Sequence, residues 1–169
     1  TLFRSEKIGS GNISLCLDGN TDIFSTDIKA LTSSGNVNVT ATGTDGFYKA
    51  SVQGQNLDVG HITGISSLGI TDLTAAASFR LEDSKHIGNG SYSLDINDIS
   101  IGGHTYHGIA AHGAFDSEKA SFNVSIDPTY GYLDLNGTTT LDMNAPAYTV
   151  NLVTDNLDLA ALGLVPKDT

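Results

Sequence analysis

Apolar side chains recur at every second position over long stretches of this chain: Ile13, Leu15, Leu17, then Val37, Val39, Ala41, then Leu73, Ala75, Ala77, Phe79, Leu81. Successive side chains of a β-strand point to opposite faces, so each set lies on one face of a strand. The same spacing holds for Tyr92, Leu94, Ile96, for Phe122, Val124, Ile126, and for Leu133 and Leu135, followed past Gly137 by Leu141 and Met143. The interleaved positions are mostly Thr, Ser, Asn and Asp. This alternation predicts half-buried antiparallel strands, because parallel strands covered on both sides read as unbroken apolar runs. Thr44-Asp45-Gly46, Asn89-Gly90, Gly102-Gly103, Asp116 to Lys119 and Asn144-Ala145-Pro146 are turn signals between the runs. Together they predict an all-β antiparallel meander of about nine to eleven strands. Short helical turns are expected within 60–69 and 157–164, where the apolar spacing is mixed.

An internal repeat carries further information. Residues 48–59, from Tyr48 to Val59, align without gaps on 148–159, from Tyr148 to Leu159, with the Tyr and the Asn-Leu-Asp shared. In both copies the apolar phase slips at the same place, from Tyr48, Ala50, Val52 to Leu57, Val59 and from Tyr148, Val150, Leu152 to Leu157, Leu159. A slip of one residue predicts a bulge or bend. A looser version occurs where Tyr92, Leu94, Ile96 give way to Ile99 and Ile101 across Asn97-Asp98. Such repetition predicts a quasi-linear array, and residues 1–169 read as one piece of it.

Composition removes several function classes. With 19 acidic against 8 basic side chains the formal charge is -11, which repels the phosphate backbone and excludes nucleic acid as the expected partner. The opening Thr1-Leu2-Phe3-Arg4 carries no initiator Met or signal pattern, and the chain reads as an excised or processed piece. Its one cysteine, Cys16, allows no internal disulfide and sits on the polar phase of its run.

Candidate chemistry is sparse. His104, His107 and His112 form a cluster, yet on a regular strand spacings of three and five put neighbours on opposite faces, so no metal site is expected. Asp18-Gly-Asn20-Thr-Asp22 opens like a calcium loop but has Ile23 where Gly is needed and Lys29 where Glu is needed, which favours an Asx-turn. Gly64-Ile-Ser-Ser-Leu-Gly69 lacks the nucleophile-elbow spacing, no Gly-rich loop leads into a Lys and Ser/Thr pair, and no acidic pair stands out. Neither an enzyme nor a cofactor is expected.

The order Asn56-Leu-Asp-Val-Gly60, Leu68-Gly-Ile-Thr71, the Leu73–Leu81 strand, Ile99-Ser-Ile-Gly-Gly-His-Thr-Tyr106, Phe122 to Ile126, Asp127-Pro128 and Leu133-Asp-Leu-Asn-Gly137, closing with Tyr148 to Leu159, resembles the repeating segments of TamB-like, AsmA-superfamily envelope proteins in their Bacteroidetes-type form. The resemblance covers about residues 35 to 164. It implies a segment of a long periplasmic protein, anchored elsewhere to the inner membrane, which supports outer-membrane biogenesis by carrying phospholipids. The carrier it implies is an open half-pipe, or β-taco, with an apolar inner face. A link to outer-membrane assembly machinery is implied on the same ground.

If the apolar face is such a groove, its floor candidates are Val37, Val39, Val52, Leu57, Leu73, Phe79, Leu94, Ile96, Ile99, Ile101, Phe115, Phe122, Val124, Leu133, Leu135, Val150, Leu152 and Leu157. Phospholipid acyl chains are then the partner. Each position reads equally well as core packing in a closed sandwich or barrel, since alternation is the same for both. A closed β-sandwich adhesin or carbohydrate-binding surface module is the alternative function. Tyr48, Tyr92 and Tyr148 open apolar phases at matching places and suit groove edges or structural stapling.

Overall fold

The computed structural model describes residues 10–20, 22–83, 86–141, 145–162 and 165. Ten strands run in chain order: β1 (Gly11–Gly19), β2 (Ile23–Thr32), β3 (Gly35–Thr44), β4 (Phe47–Asp58), β5 (Leu68–Asp83), β6 (His86–Ile101), β7 (His104–Phe115), β8 (Lys119–Ser125), β9 (Tyr132–Thr140) and β10 (Tyr148–Asp155). Each pairs antiparallel with the next, giving one sheet in the order β1 to β10 without a crossover, and the sheet is not closed into a barrel. One short helix, α1 (Val59–Thr63), joins β4 to β5, and a 3-10 turn over Pro128–Tyr130 joins β8 to β9. The all-β antiparallel meander expected from the alternation is the observed architecture, and the sheet is open, as the resemblance implied.

Local chemistry explains the connections. Asp45 (φ 48) and Gly46 (φ 75) turn β3 into β4, and Gly102 (φ 60) and Gly103 (φ 86) turn β6 into β7; two consecutive positive φ values are the tight hairpin turn that matches strand twist. The Asx-turn expected after β1 is present, with Asn20 Oδ1 accepting from the backbone N–H of Asp22 and Ile23, both at 2.9 Å. Asp58 caps α1 by accepting from His61 N–H at 2.8 Å, and Gly64 ends it in the left-handed conformation. Asn89-Gly90, expected as a turn, lies instead inside β6. Gly90 is needed there because the Phe115 ring lies across it. Residues 142–144 and 163–164, parts of an expected turn and helical segment, lie outside the described residues.

Two of the expected phase slips are bulges and the third is a bend past the last strand. Register shifts between Gly54 and Leu57 on β4, where Asn56 takes φ 51, and between Asp72 and Leu73 of β5 against Asp98 and Ile96 of β6. The second repeat has the same geometry at its end: Asn156 takes φ 50. Gly35 packs against the backbone of Asn56 and Gly131 against that of Asn156, each so closely that a Cβ would lie 2.8 Å from the next residue's Cα. Asp58 N–H donates to Ser34 C=O at 2.9 Å, and Asp158 N–H to Tyr130 C=O at 2.8 Å. These bulges and left-handed residues form a crease across the strands from β3 to β10.

The sheet has no second layer among the described residues. Tyr130 is the sole buried apolar side chain there, and substantial packing occurs only between consecutive strands and between α1 and β5. The accessible surface is 11477 Å², whereas a compact monomer of 17.6 kDa exposes about 7,900 Å². Tyr130 serves the edge that β8 leaves uncovered on β7. Its hydroxyl accepts from His107 N–H at 3.2 Å and donates to Thr105 C=O at 3.3 Å, in place of a missing strand.

Candidate functional site

The strand register assembles the apolar positions into rows running across the whole sheet. The central row is Leu15, Ile28, Val39, Val52, Ala75, Leu94, Ala111, Val124, Leu135 and Leu152, each directly opposite the next. Toward the crease, a parallel row includes Val37, Leu73, Ile96 and Leu133, and beyond the bulges the face continues with Leu57, Ile99 and Ile101. Leu157 follows Asn156 past the last strand and is half-buried. Away from the crease, Phe122 and Val150 flank Gly137, and Phe79 and Phe115 flank Gly90. Seventeen of the eighteen expected floor positions therefore fall on strands, on one face; Leu157 alone lies outside them.

Four such rows, two residues apart along each strand, contain no Asp, Glu, Lys, Arg or His. Their extent follows from strand spacing: nine interstrand steps of about 4.8 Å give about 43 Å, and three two-residue steps give about 20 Å. That is on the order of 860 Å² of charge-free face, larger than the roughly 300–600 Å² of a typical monomer's largest apolar patch. Exposure is greatest at the two ends, with Leu15 at 66% and Leu152 at 58%.

Rings smooth this floor by lying over cross-strand glycines. Phe24 covers Gly43, Phe115 covers Gly90, Tyr92 covers Gly113 and Phe122 covers Gly137, each near enough that a Cβ on the glycine would overlap the ring. A ring over a bare backbone regains the contact area that glycine lacks. The Tyr92 hydroxyl donates to Ser121 C=O at 3.0 Å, so this ring reaches across β7 to β8. Tyr48 stacks on Phe79 with centroids 5.2 Å apart and lies 6.1 Å from Phe24, forming an aromatic border opposite the crease. Tyr92 is thus a staple, whereas Tyr148 is 78% exposed at the outer strand.

Several floor residues escaped the sequence reading. Phe24, Ile28 and Ala30 of β2 and Ala111 and Ile109 of β7 complete the rows, with Ala75, which the alternation had placed in phase but not among the floor candidates. For β2 the signal was present as period two from Phe24 to Ala30, diluted by Thr26. Tyr106 and Tyr130 carried no periodic signal.

The opposite face is polar. Thr40 and Ser51 hydroxyls lie 2.8 Å apart, and Ser78 and Ser91 hydroxyls 3.1 Å apart. Asn123 and Asn136 both donate to Asp134 Oδ1, at 2.6 and 3.1 Å. Three hollows of about 510, 440 and 580 Å³ open between the short side chains of this face. Cys16 is exposed opposite Asp27. His107 and His112 share the polar face, contrary to the alternating placement expected, because Gly108 (φ 60) inserts a bend between them; His104 lies on the other side. His107 pairs with the Asp98 carboxylate. No group of three metal-ligating side chains occurs among the described residues.

Two exposed carboxylates are tuned by local hydrogen bonds. Asp127 is held below the ordinary carboxylate range by the Thr129 hydroxyl and then by Thr129 N–H, at 2.6 and 2.7 Å. Asp116 is lowered by N–H bonds from Glu118 and Lys119, both at 2.8 Å. Both sit in turns, and Asp127 also lines a hollow of about 650 Å³ between Gly108, Pro128 and Asn156.

Comparison with protein-family models, with curated proteins and with solved structures gives no match. No helix among the described residues is long and apolar enough to cross a membrane.

Proposed function

We propose that this chain is a segment of a periplasmic lipid carrier, anchored to the inner membrane by parts outside it, whose apolar sheet face holds phospholipid acyl chains on their way between inner and outer membranes. The observation that carries the reading is the charge-free face running through all ten strands, with no layer over it among the described residues. A face of that size in water demands a covering. Transfer of a sixteen-carbon tail from water gains about 12 kcal/mol at about 0.8 kcal/mol per methylene, so acyl chains are a strongly favoured occupant. A row of Val, Leu, Ile and Ala with rings laid over glycines offers no deep trap, which suits movement along the sheet. The resemblance to TamB-like proteins supports the same reading and, with it, a role in outer-membrane biogenesis beside the assembly machinery.

The closed adhesin alternative requires a second sheet over this face, and none exists among the described residues. The test is incubation of the purified chain with phospholipid vesicles, re-isolation, organic extraction and mass spectrometry. Phospholipid should co-purify with the native chain and fall at least tenfold in Leu94→Asp, which places a charge in the central row. A folded native chain that returns no phospholipid rejects the proposal, and a specific glycan-array hit with no lipid favours the alternative.

A further inference from the structure

The polar face carries a group of carboxamides for which the lipid reading has no use. Strand register sets Asn36 and Asn38 of β3 opposite Gln55 and Gln53 of β4, and Asn12 of β1 stands in the row of Asn36 and Gln55, with Leu31 of β2 between. These five carboxamides line one hollow of about 440 Å³, within the range of about 300–1,000 Å³ usual for small-molecule sites. Most of its lining comes from β2, β3 and β4, interior strands bonded on both sides. A further strand beside β1 would extend the sheet sideways and leave the hollow as it is.

Three features of the hollow specify its ligand. Asn38 Oδ1 is buried and accepts no hydrogen bond among the described residues. A buried acceptor without a donor is costly, and a ligand hydroxyl or amide N–H would supply one. Lys29 stands directly opposite Asn38, but its ammonium is drawn to Asp27 at 3.6 Å. That pairing balances the one charge in the lining, so the hollow suits a neutral ligand, and the chain's charge of -11 disfavours an anionic one. Lastly, Leu31 is an apolar side chain on the polar face, 57% exposed at the hollow. Each carboxamide offers a donor and an acceptor together. Such groups set around one exposed apolar side chain match a sugar ring, which carries hydroxyls at its rim and C–H groups on its faces. We propose that this hollow binds a neutral saccharide, with Leu31 against the C–H face and Asn38 and Gln53 exchanging hydrogen bonds with its hydroxyl and acetamido groups. The inference stands on the polar face alone and holds whatever occupies the apolar one.

The experiment is titration calorimetry of the purified chain with N,N′-diacetylchitobiose and with cellobiose, which has the hydroxyls but no acetamido group. Saturable binding of both is expected at millimolar concentration or below, tighter for the acetamido sugar because its amides pair with carboxamides. Asn38→Leu, close to Asn in shape, should weaken binding about tenfold or more and leave Tm unchanged or raised, since it removes an acceptor that has no partner in the fold. Gln53→Leu, on the next strand, should weaken binding likewise and tests the same hollow if Asn38→Leu fails to fold. Phospholipid vesicles should leave the sugar affinity unchanged, because lipid and sugar take opposite faces. No saturable binding of either sugar by the folded native chain overturns the proposal, as does binding that survives the substitutions or competition between vesicles and sugar. The lipid proposal is read separately, by extraction after exposure to vesicles, and stands if neither sugar binds.

Discussion

Gly43 offers a direct probe of how the sheet face is assembled. Its φ is ordinary, so its backbone would accept any residue, and only the space above it forbids a side chain. A Cβ there would lie 2.8 Å from Phe24 Cδ1 and 3.0 Å from Tyr48 Cε1, well inside contact. Overpacking of this kind costs about 1–3 kcal/mol. At about 2–4 °C per kcal/mol for a chain of this size, Gly43→Ala should lower Tm by about 2–12 °C. Phe24→Ala removes the obstructing ring, and Gly43→Ala in that background should be neutral or slightly stabilising, since Ala costs roughly 0.5–1 kcal/mol less than Gly in a strand. Thermal unfolding of the four proteins followed by circular dichroism gives the coupling energy, expected above about 1 kcal/mol, whereas independent sites add within about 0.3–0.5 kcal/mol. Additive behaviour would refute the claim that rings are laid over glycines.

Tyr130→Phe should destabilise by about 1–3 kcal/mol in a denaturant titration, because His107 N–H and Thr105 C=O lose their partner at an edge that β8 does not reach. Asn56→Gly should be tolerated, whereas Asn56→Ala should cost about 1 kcal/mol by forcing a Cβ into the left-handed region at φ 51. The carboxylates of Asp127 and Asp116 are depressed in the fold, so their contribution is present above the unfolded value of about 3.9 and is lost as pH falls through the folded value. Tm should therefore drop on acidification below about pH 4, and less steeply in Asp127→Asn; equal slopes would contradict the assignment.

The strands were legible in the sequence because side-chain phase on a strand depends only on residue order. Val52, Leu94 and Leu135 announced their face, and the slips at Asn56 and Asn97 announced bulges, since a bulge is the way a strand keeps its apolar side after adding a residue, while the slip at Asn156 announced a left-handed bend past β10. Asn89-Gly90 misled for a reason outside the local chain: Gly90 serves Phe115, a partner 25 positions away that only the register brings near. Gly108 likewise hid the bend that brings His107 and His112 to one face. Alternation alone left core and open floor equivalent at every position, because both need one apolar side. What separates them is the presence of a second layer, a property of how elements meet rather than of any strand.

Photocrosslinking along β6 tests the open apolar floor most directly. A benzophenone side chain placed singly at 92, 93, 94, 95 and 96 alternates between the two faces, since Tyr92, Leu94 and Ile96 lie in the apolar rows and Ser93 and Asp95 do not. Irradiation with phospholipid vesicles should give lipid adducts at 92, 94 and 96 and few at 93 and 95. Equal labelling at all five positions, or none at 94 in a folded chain, would contradict an uncovered floor that holds lipid.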